Sequence, residues 1–421
     1  MPNTTVINQP LNGNLGDYLI SCLEDADFDV VNIIVAFAKN SGVLRLKPAL
    51  ERFKARGSHI NIYVGIDLDG TSYEALVSLS KLANKLYVVH AESDQTFHSK
   101  IYNFKKEGES IVVVGSNNLT AGGLWTNLES CSIAQLDLSE QHDQSYQTQI
   151  DSYLSDLVEM QGLSMEIKSQ KDVEALLEAG YVSKEAKSRI RRESVRKQIS
   201  RDGLSSIRPF IGRIKASLPP IKPEGQYKPT LPDATKAKID LPSPASEPTL
   251  EKLNGDGNSI WFETRKMTGG SRNILDLSKK SLVKQGNPQY TAFSIGGSNT
   301  EMKGGVQFFG IDPASTNSAI DITINYNGVD YAGNTIKYPA GEKANGTWRL
   351  QIKGEASTGE NILDSFERDY LVNKILVFTK IDERYFFMSI FDASDLNDFI
   401  DVSKVVAYNG SNRRSRLLGL W

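Results

Sequence analysis

The stretch FHSKIYNFKKEGESIVVVGSNNLTAGGLWTNLES, residues 97–130, decides how the first half of the chain is read. Its apolar runs HSKIYNF (98–104) and SIVVVGS (110–116) flank a short Gly-bearing turn, which predicts two paired strands. A third strand, CSIAQLDL (131–138), follows the glycine-rich segment. Residues two apart on a strand share a face. His98 and Lys100 are therefore expected side by side, with Ser116 and Asn118 presented beside them.

Outward from this stretch, strand and helix alternate. VVNIIVAFA (30–38), HINIYVGID (59–67) and KLYVVHAE (85–92) read as strands, and LRLKPALERFKARG (44–57) and SYEALVSLSKLAN (72–84) have helical spacing. Helices are expected at about 140–160, 170–180 and 183–200. This alternation predicts an α/β layer around a largely buried sheet.

A set of His, Lys, Ser, Asn and Glu within about thirty residues, without clustered metal-binding carboxylates, suits phosphodiester chemistry without a metal. A neutral imidazole attacks phosphorus, and an imidazolium protonates the leaving oxygen. Lys100, Ser116 and Asn118 would hold the phosphate, and Glu129 would accept the other imidazole N–H. The string HSK…GSNNLTAGGLWTNLE resembles the signature of the phospholipase D superfamily, and within it the nuclease branch. The resemblance implies His98 as nucleophile, Lys100, Ser116 and Asn118 as phosphate ligands, and Glu129 as support for the histidine. One position departs: many members carry Asp five residues after the lysine, and here it is Lys105. The nuclease branch often lacks this Asp, so the departure argues against a lipid enzyme.

The mechanism that the resemblance implies needs two histidines, and His-x-Lys occurs once. His59, His90 and His142 are followed two positions on by Asn61, Glu92 and Gln144 and read as structural. A homodimer sharing one site across a two-fold axis is therefore expected. The turn GIDLDG (65–70) offers two carboxylates and no third ligand, so no metal site and no cofactor is expected. No Walker loop, Rossmann fingerprint or Gly-x-Ser-x-Gly elbow is present.

Farther along, KEAKSRIRRESVRKQISR (184–201) sets eight basic against two acidic residues, a local net +6 in a chain whose formal charge is −3. Such a local basic face, more than overall charge, attracts phosphate. Nine of the fifteen prolines then fall between Pro209 and Pro248, which reads as a semi-extended linker. After about 255 come seven short β-like runs, from SIWFETRK to RYFFMSIF and including TAFSIGG and GGVQFFGI, predicting a barrel or sandwich. The expected domains are 1–160, a phospholipase D-like catalytic domain; 161–254, helices and linker; and 255–421, the β domain.

The segment ETRKMTGGSRNILDLSKKSL (263–282) brings together Arg265, Lys266, Thr268, Ser271, Arg272 and Asn273, and Arg and Asn are residue types that read base edges. The segment resembles the first DNA-clasping arm of the C-terminal domain in phospholipase D-type restriction endonucleases, a B3-like pseudobarrel. NGTWRLQIKGE (345–355) resembles a second landmark of that domain more loosely. Together the resemblances imply a sequence-specific, metal-independent endonuclease acting on double-stranded DNA. They also leave room for a separately encoded DNA methyltransferase and an ATPase or translocase. The alternatives are a less specific phosphodiesterase for nucleic acid or lipid headgroups, and a catalytically inactive DNA-binding module.

Length and composition agree with two soluble domains: 421 residues, 39% hydrophobic and 24% charged. No apolar run is long enough to span a bilayer, and the first ten residues lack the pattern of a signal peptide. Cys22 and Cys131 read as buried apolar groups, and a cytoplasmic setting is expected.

Overall fold

The computed structural model describes residues 3–92, 95–201 (backbone alone at 196–201), 216–226, 259–265, 272–289, 291–315, 319–339, 347–367 and 369–421. The chain forms two compact units. The first takes 1–188 with 211–242 and 254–256, and the second takes 189–210, 243–253 and 257–421.

In the first unit the elements run β1 (Asn3–Gln9), α1 (Leu15–Glu24), β2 (Val30–Val35), α2 (Asn40–Ala55), β3 (His59–Gly65), α3 (Tyr73–Leu82) and β4 (Lys85–Val89). They continue through β5 (Lys100–Lys106), β6 (Glu109–Gly115), β7 (Glu129–Asp137), α4 (Gln141–Glu159), β8 (Ser164–Glu166), α5 (Gln170–Glu178) and α6 (Glu185–Arg201), the last crossing into the second unit. The sheet order is β1-β7-β6-β5-β2-β3-β4-β8. β2, β3 and β4 are parallel, with α2 and α3 as crossovers, while β5, β6 and β7 form an antiparallel meander joined to β2 by antiparallel pairing.

Burial on both faces explains why β2 is apolar at every position but Asn32 rather than alternating, and the buried Asn32 amide donates to Asn103 Oδ1 at 3.3 Å. Val31, Ile33 and Val35 join the core that contains Leu46, Leu50 and Phe53 of α2 and Leu76 and Leu79 of α3. Ile34 instead joins Tyr63, Val89 and the α4 residues Leu154 and Leu157 on the opposite face. Beneath α4, the buried Asn103 amide donates to Ser110 Oγ at 2.8 Å, and Ser110 Oγ donates to Gln147 Oε1 at 2.7 Å, so these buried polar groups satisfy one another.

β1, α1 and the short β8 are not among the elements expected from the sequence. β1 adds an edge strand to β7, and α1 packs against the glycine-rich turn after β6. The close approach needs Gly16, where an added Cβ would lie 2.1 Å from the Trp125 ring, whose Nε1 donates to Asp17 Oδ1 at 3.0 Å. Within the proline-rich region, residues 216–226 are tied to the first unit. Leu218 packs on its core, Arg45 donates to the Pro219 carbonyl, and the Gly225 amide donates to Glu24 Oε2 at 3.2 Å. The expected semi-extended linker is thus anchored over these residues; the rest of it lies outside the described residues.

Among its described residues the second unit holds eleven strands in one barrel-like sheet. They are β9 (Ser259–Glu263), β10 (Ile274–Ser278), β11 (Lys280–Gly286), β12 (Glu301–Lys303), β13 (Ala319–Tyr326), β14 (Val329–Lys337) and β15 (Thr347–Gln351). β16 (Lys374–Asp382), β17 (Tyr385–Asp392), the short helix α7 (Leu396–Val402), β18 (Val405–Tyr408) and β19 (Leu417–Leu420) complete it. Phe262, Phe309, Phe378 and Phe386 pack ring against ring inside. Two expected strands are corrected here. GGVQFFGI is a buried 3-10 turn, Gly305–Phe309, and TAFSIGG is a pair of turns around one bridge residue, Ser294, which pairs with Met302. A short apolar run such as VQFF carries no period to separate a strand from a turn of helix.

Candidate active site

Four neighbouring strands bring their site-bearing ends to one edge of the first sheet. Val35, the last residue of β2, pairs with Lys100, the first of β5. Gly115, the last of β6, pairs with Cys131 near the start of β7. Segments that leave these ends therefore converge, although His98, Ser116, Asn118 and Glu129 are spread over thirty-two positions of sequence. His98, Ser116 and Asn118 lie just beyond the strands rather than on them, as strand pairing had suggested.

His98 is exposed, whereas Lys100 is only 6% exposed. Lys100 Nζ lies 2.8 Å from His98 Nδ1 and donates to the His98 carbonyl at 2.7 Å. An ammonium only donates, so Nδ1 accepts and a neutral ring carries its hydrogen on Nε2. The Phe37 ring meets the imidazole edge to face at 5.7 Å and lies 5.9 Å from the ammonium. Burial pushes the Lys100 pKa down, and the Glu129 carboxylate partly offsets this.

The turn after β6 is fixed by backbone-directed bonds. Asn118 Oδ1 accepts from the Phe37 amide at 3.1 Å, and Leu119 N–H donates to the Phe37 carbonyl at 3.0 Å. This leaves the Asn118 amide nitrogen to donate outward. Buried Asn117 donates to the Gly123 carbonyl at 2.7 Å, and Tyr102 donates to the Asn117 carbonyl at 3.1 Å. The chain then makes a π-helical turn, Gly122–Thr126. A Cβ on Gly123 would lie 2.5 Å from the Asn118 carbonyl oxygen, so the position requires glycine.

Glu129 accepts from Ser116 Oγ, and from Asn127 Nδ2 at 3.2 Å. Among the described residues its carboxylate makes no hydrogen bond to His98, the partner expected for it. Lys105, at the position that departs from the superfamily pattern, pairs with Asp151 of α4 at 3.1 Å and so ties β5 to that helix. Asp67 and Tyr153 are not among the residues expected at the site. Asp67 Oδ2 accepts from the Phe97 amide at 2.8 Å, and Tyr153 Oη lies 2.6 Å from Ser99 Oγ, so both hold the segment that carries His98. A lone Asp in a turn and a Tyr on a helix carry no sequence mark of such bonding.

In the second unit Arg265 is exposed and faces Asp276 at 3.6 Å, and Arg272 pairs with Asp369. Asn273 donates its side-chain amide to the Ile352 carbonyl at 2.7 Å, which fixes β10 to the end of β15. Lys266, Thr268 and Ser271 lie outside the described residues. Arg265 lines an open cleft of about 410 Å³ together with Lys279, Lys280, Asn409 and Arg416. Its rim includes the β18–β19 connection NGSNRRSR (409–416), whose Arg413 and Arg414 are exposed. This basic loop is not among the residues expected to contact DNA, although three arginines in four residues mark it in the sequence. Among the described residues no helix is long and apolar enough to cross a membrane.

A titration of labelled lysines is expected to place the Lys100 midpoint below the ordinary lysine range. Glu129→Gln should lower it further, because the carboxylate is the group that raises it. A Lys100 midpoint at or above the ordinary range, or one raised by Glu129→Gln, would contradict the buried-cation geometry.

Residues 18–162 match the family described as "NgoFVII restriction endonuclease N-terminal PLD domain". No curated protein matches the chain. Similar solved structures include Nuc, a phospholipase D family member from Salmonella typhimurium, 18% identical over 40% of this chain and 100% of that one, with a TM-score of 0.29. NucT from Helicobacter pylori is 16% identical over 38% and 97%, with a TM-score of 0.28. Phosphatidylserine synthase from Haemophilus influenzae is 13% identical over 48% and 46%, with a TM-score of 0.31. By the family match, the segment carrying His98, Lys100, Asn118 and Glu129 is similar to the phospholipase D-type domain of a restriction endonuclease.

Proposed function

We propose that the chain is a sequence-specific DNA endonuclease of restriction type. It cuts phosphodiesters through a covalent phosphohistidine on His98, with one site shared by two copies of the chain and no divalent metal in the chemistry. The observation that carries this reading is the meeting of His98 with the buried Lys100 beside Asn118 and Glu129, inside a segment that matches a restriction endonuclease domain.

Lys100 supplies the fixed positive charge for the nonbridging oxygens and exchanges its hold on His98 Nδ1 for the phosphate. The Asn118 amide adds a neutral donor, and the Ser116 hydroxyl turns from Glu129 to add another. Attack requires a lone pair on Nε2, so Nδ1 must then carry the hydrogen, and in this reading Glu129, released from Ser116, accepts it. Proton donation to the leaving oxygen instead requires an imidazolium, with hydrogen on both nitrogens. Attack and protonation therefore need two rings in different states, and the chain has one His-x-Lys. One His98 forms the P–N bond as the P–O bond breaks, and the leaving oxygen takes a proton from the imidazolium of the second copy. Water then attacks phosphorus and yields its proton to that second ring as the P–N bond breaks.

The second unit, in this reading, is a B3-like pseudobarrel that recognises DNA. Arg265 and Arg272 reach base edges from the arm before β10, Lys266 holds phosphate beside them with Thr268 and Ser271 on the same arm, and Asn273 anchors its end. Arg413 and Arg414 meet phosphates from the rim of the cleft. A restriction role calls for a cognate methyltransferase supplied by another chain.

Cleavage of mixed plasmid DNA is expected to persist in EDTA and to disappear in His98→Ala, while DNA binding is retained. Mixed dimers of His98→Ala with the parent should be almost inactive. A strict need for a divalent ion, or cutting by His98→Ala at more than a few percent of the parent rate, would refute the mechanism.

Arg413→Ala and Arg414→Ala are expected to weaken binding to every duplex alike and to flatten the salt dependence by about 0.9 for each phosphate no longer neutralised. Arg265→Ala should cost about 1–3 kcal/mol and relax preference at one base position. Unchanged affinity and specificity in all three variants would place the reading surface elsewhere.

A further inference from the structure

His90 and Asp67 lie outside the set that the mechanism uses, yet they adjoin the nucleophile segment. Asp67 sits in the turn after β3 and is 8% exposed. Its Oδ1 lies 2.5 Å from His90 Nδ1, and its Oδ2 accepts from the Phe97 amide at 2.8 Å. One carboxylate thus bridges an imidazole to the residue immediately before His98. The turn that aims it is unusual, because Leu68 and Asp69 both have left-handed backbone, with φ of 55° and 56°. Non-glycine residues adopt that conformation at a cost, and such strain concentrates at functional sites.

The rest of the surroundings fixes His90 in turn. Its amide donates to the Leu163 carbonyl at 3.0 Å, its ring meets Tyr181 edge to face at 5.4 Å, and Nε2 lies 3.8 Å from Glu92 Oε2. Tyr181 donates its hydroxyl to the same Glu92 carboxylate. The Phe97 side chain packs with Ile34, Tyr63 and Val89. On the far side of His98, Ser99 is held by Tyr153. His98 therefore projects from a short span pinned at both neighbours, and the Asp67 bond is the pin on its N-terminal side.

We propose that Asp67 is a positioning residue for His98, acting through the Phe97 amide, and that His90 orients the Asp67 carboxylate for that task. This rests on the reading of His98 as nucleophile. A carboxylate with two acceptor oxygens satisfies both donors at once. An amide in its place satisfies only one and turns its NH2 toward the other. The imidazole therefore acts on the reacting ring at one remove: His90 Nδ1–H, Asp67, Phe97 N–H, His98. A misplacement of the nucleophile by about 1 Å is enough to cost about 100-fold in rate.

The test uses the full chain with Asp67→Asn, His90→Ala, His90→Gln and, as a control, His98→Ala. Cleavage rate at saturating DNA should fall by up to about 100-fold in Asp67→Asn and His90→Ala, with KM for DNA within about twofold of the parent by the same separation of positioning from binding. His90→Gln retains a donor and should recover most of the rate. Independently of activity, Asp67→Asn should strip the Phe97 amide of its exchange protection and shift the His98 ring signals in a spectrum of the four histidines. Loss of cleavage in His98→Ala with parental rates in Asp67→Asn and His90→Ala would overturn this inference alone. Parental cleavage by His98→Ala would overturn the catalytic reading beneath it. Unchanged Phe97 protection and His98 signals in Asp67→Asn would overturn the positioning role whatever the activity.

Discussion

The antiparallel pairing of β2 with β5, which sets Val35 opposite Lys100, is the constraint from which the site follows. It starts β5 at the edge where β2 ends, so the Lys100 stem enters the protein while its ammonium meets the His98 imidazole at that edge. Side chains alternate along a strand, and a one-residue slip would carry Lys100 to the other face. Ile33 and Ile34 pack into different cores on the two faces of β2, which makes such a slip costly. The same register brings Phe37 to the Asn118 turn, so one ladder fixes both the cation and the amide donor.

Charge is placed by burial as much as by direct bonding. Lys100 is held almost out of water, its proton made easier to lose, and Glu129 stands close enough to offset part of that. Ser116 and Asn127 occupy Glu129 within one chain, and Lys100 occupies His98 Nδ1. In the proposed mechanism this single-chain arrangement is a resting one, and turning the ring into a nucleophile means re-partnering both groups, which phosphate binding by Lys100 and Ser116 would do in one event.

Much of the site was legible in the sequence, because strand alternation, glycine punctuation and the spacing of His98, Lys100, Ser116, Asn118 and Glu129 are local signals. What was not legible depends on residues that meet from distant parts of the chain. Asp67 is thirty residues from Phe97, and nothing near GIDLDG marks its carboxylate as a clamp rather than a plain turn. Asn273 looks like a base reader by type, yet its amide serves the β10–β15 junction. β1 carries few apolar positions and is placed by its pairing with β7, while α1, apolar along most of its length, lies ahead of the strand–helix alternation that begins near residue 30. In the β unit, VQFF is too short to show a period, and the NGSNRRSR loop gains meaning only where it meets Arg265 across a cleft.

The central claim is that a single imidazole becomes covalently bound to phosphorus during cleavage. Duplex labelled throughout its backbone phosphates, incubated with the full chain in EDTA, quenched in alkali within one turnover and digested with protease and nuclease, reads this directly by mass spectrometry. A labelled phosphate on the peptide containing His98, absent from His98→Ala and at background on His59, His90 and His142, is the predicted result. Cleavage that proceeds in EDTA with no phosphorylated peptide at any time within the turnover would contradict the account, because it would require water to attack the phosphodiester directly.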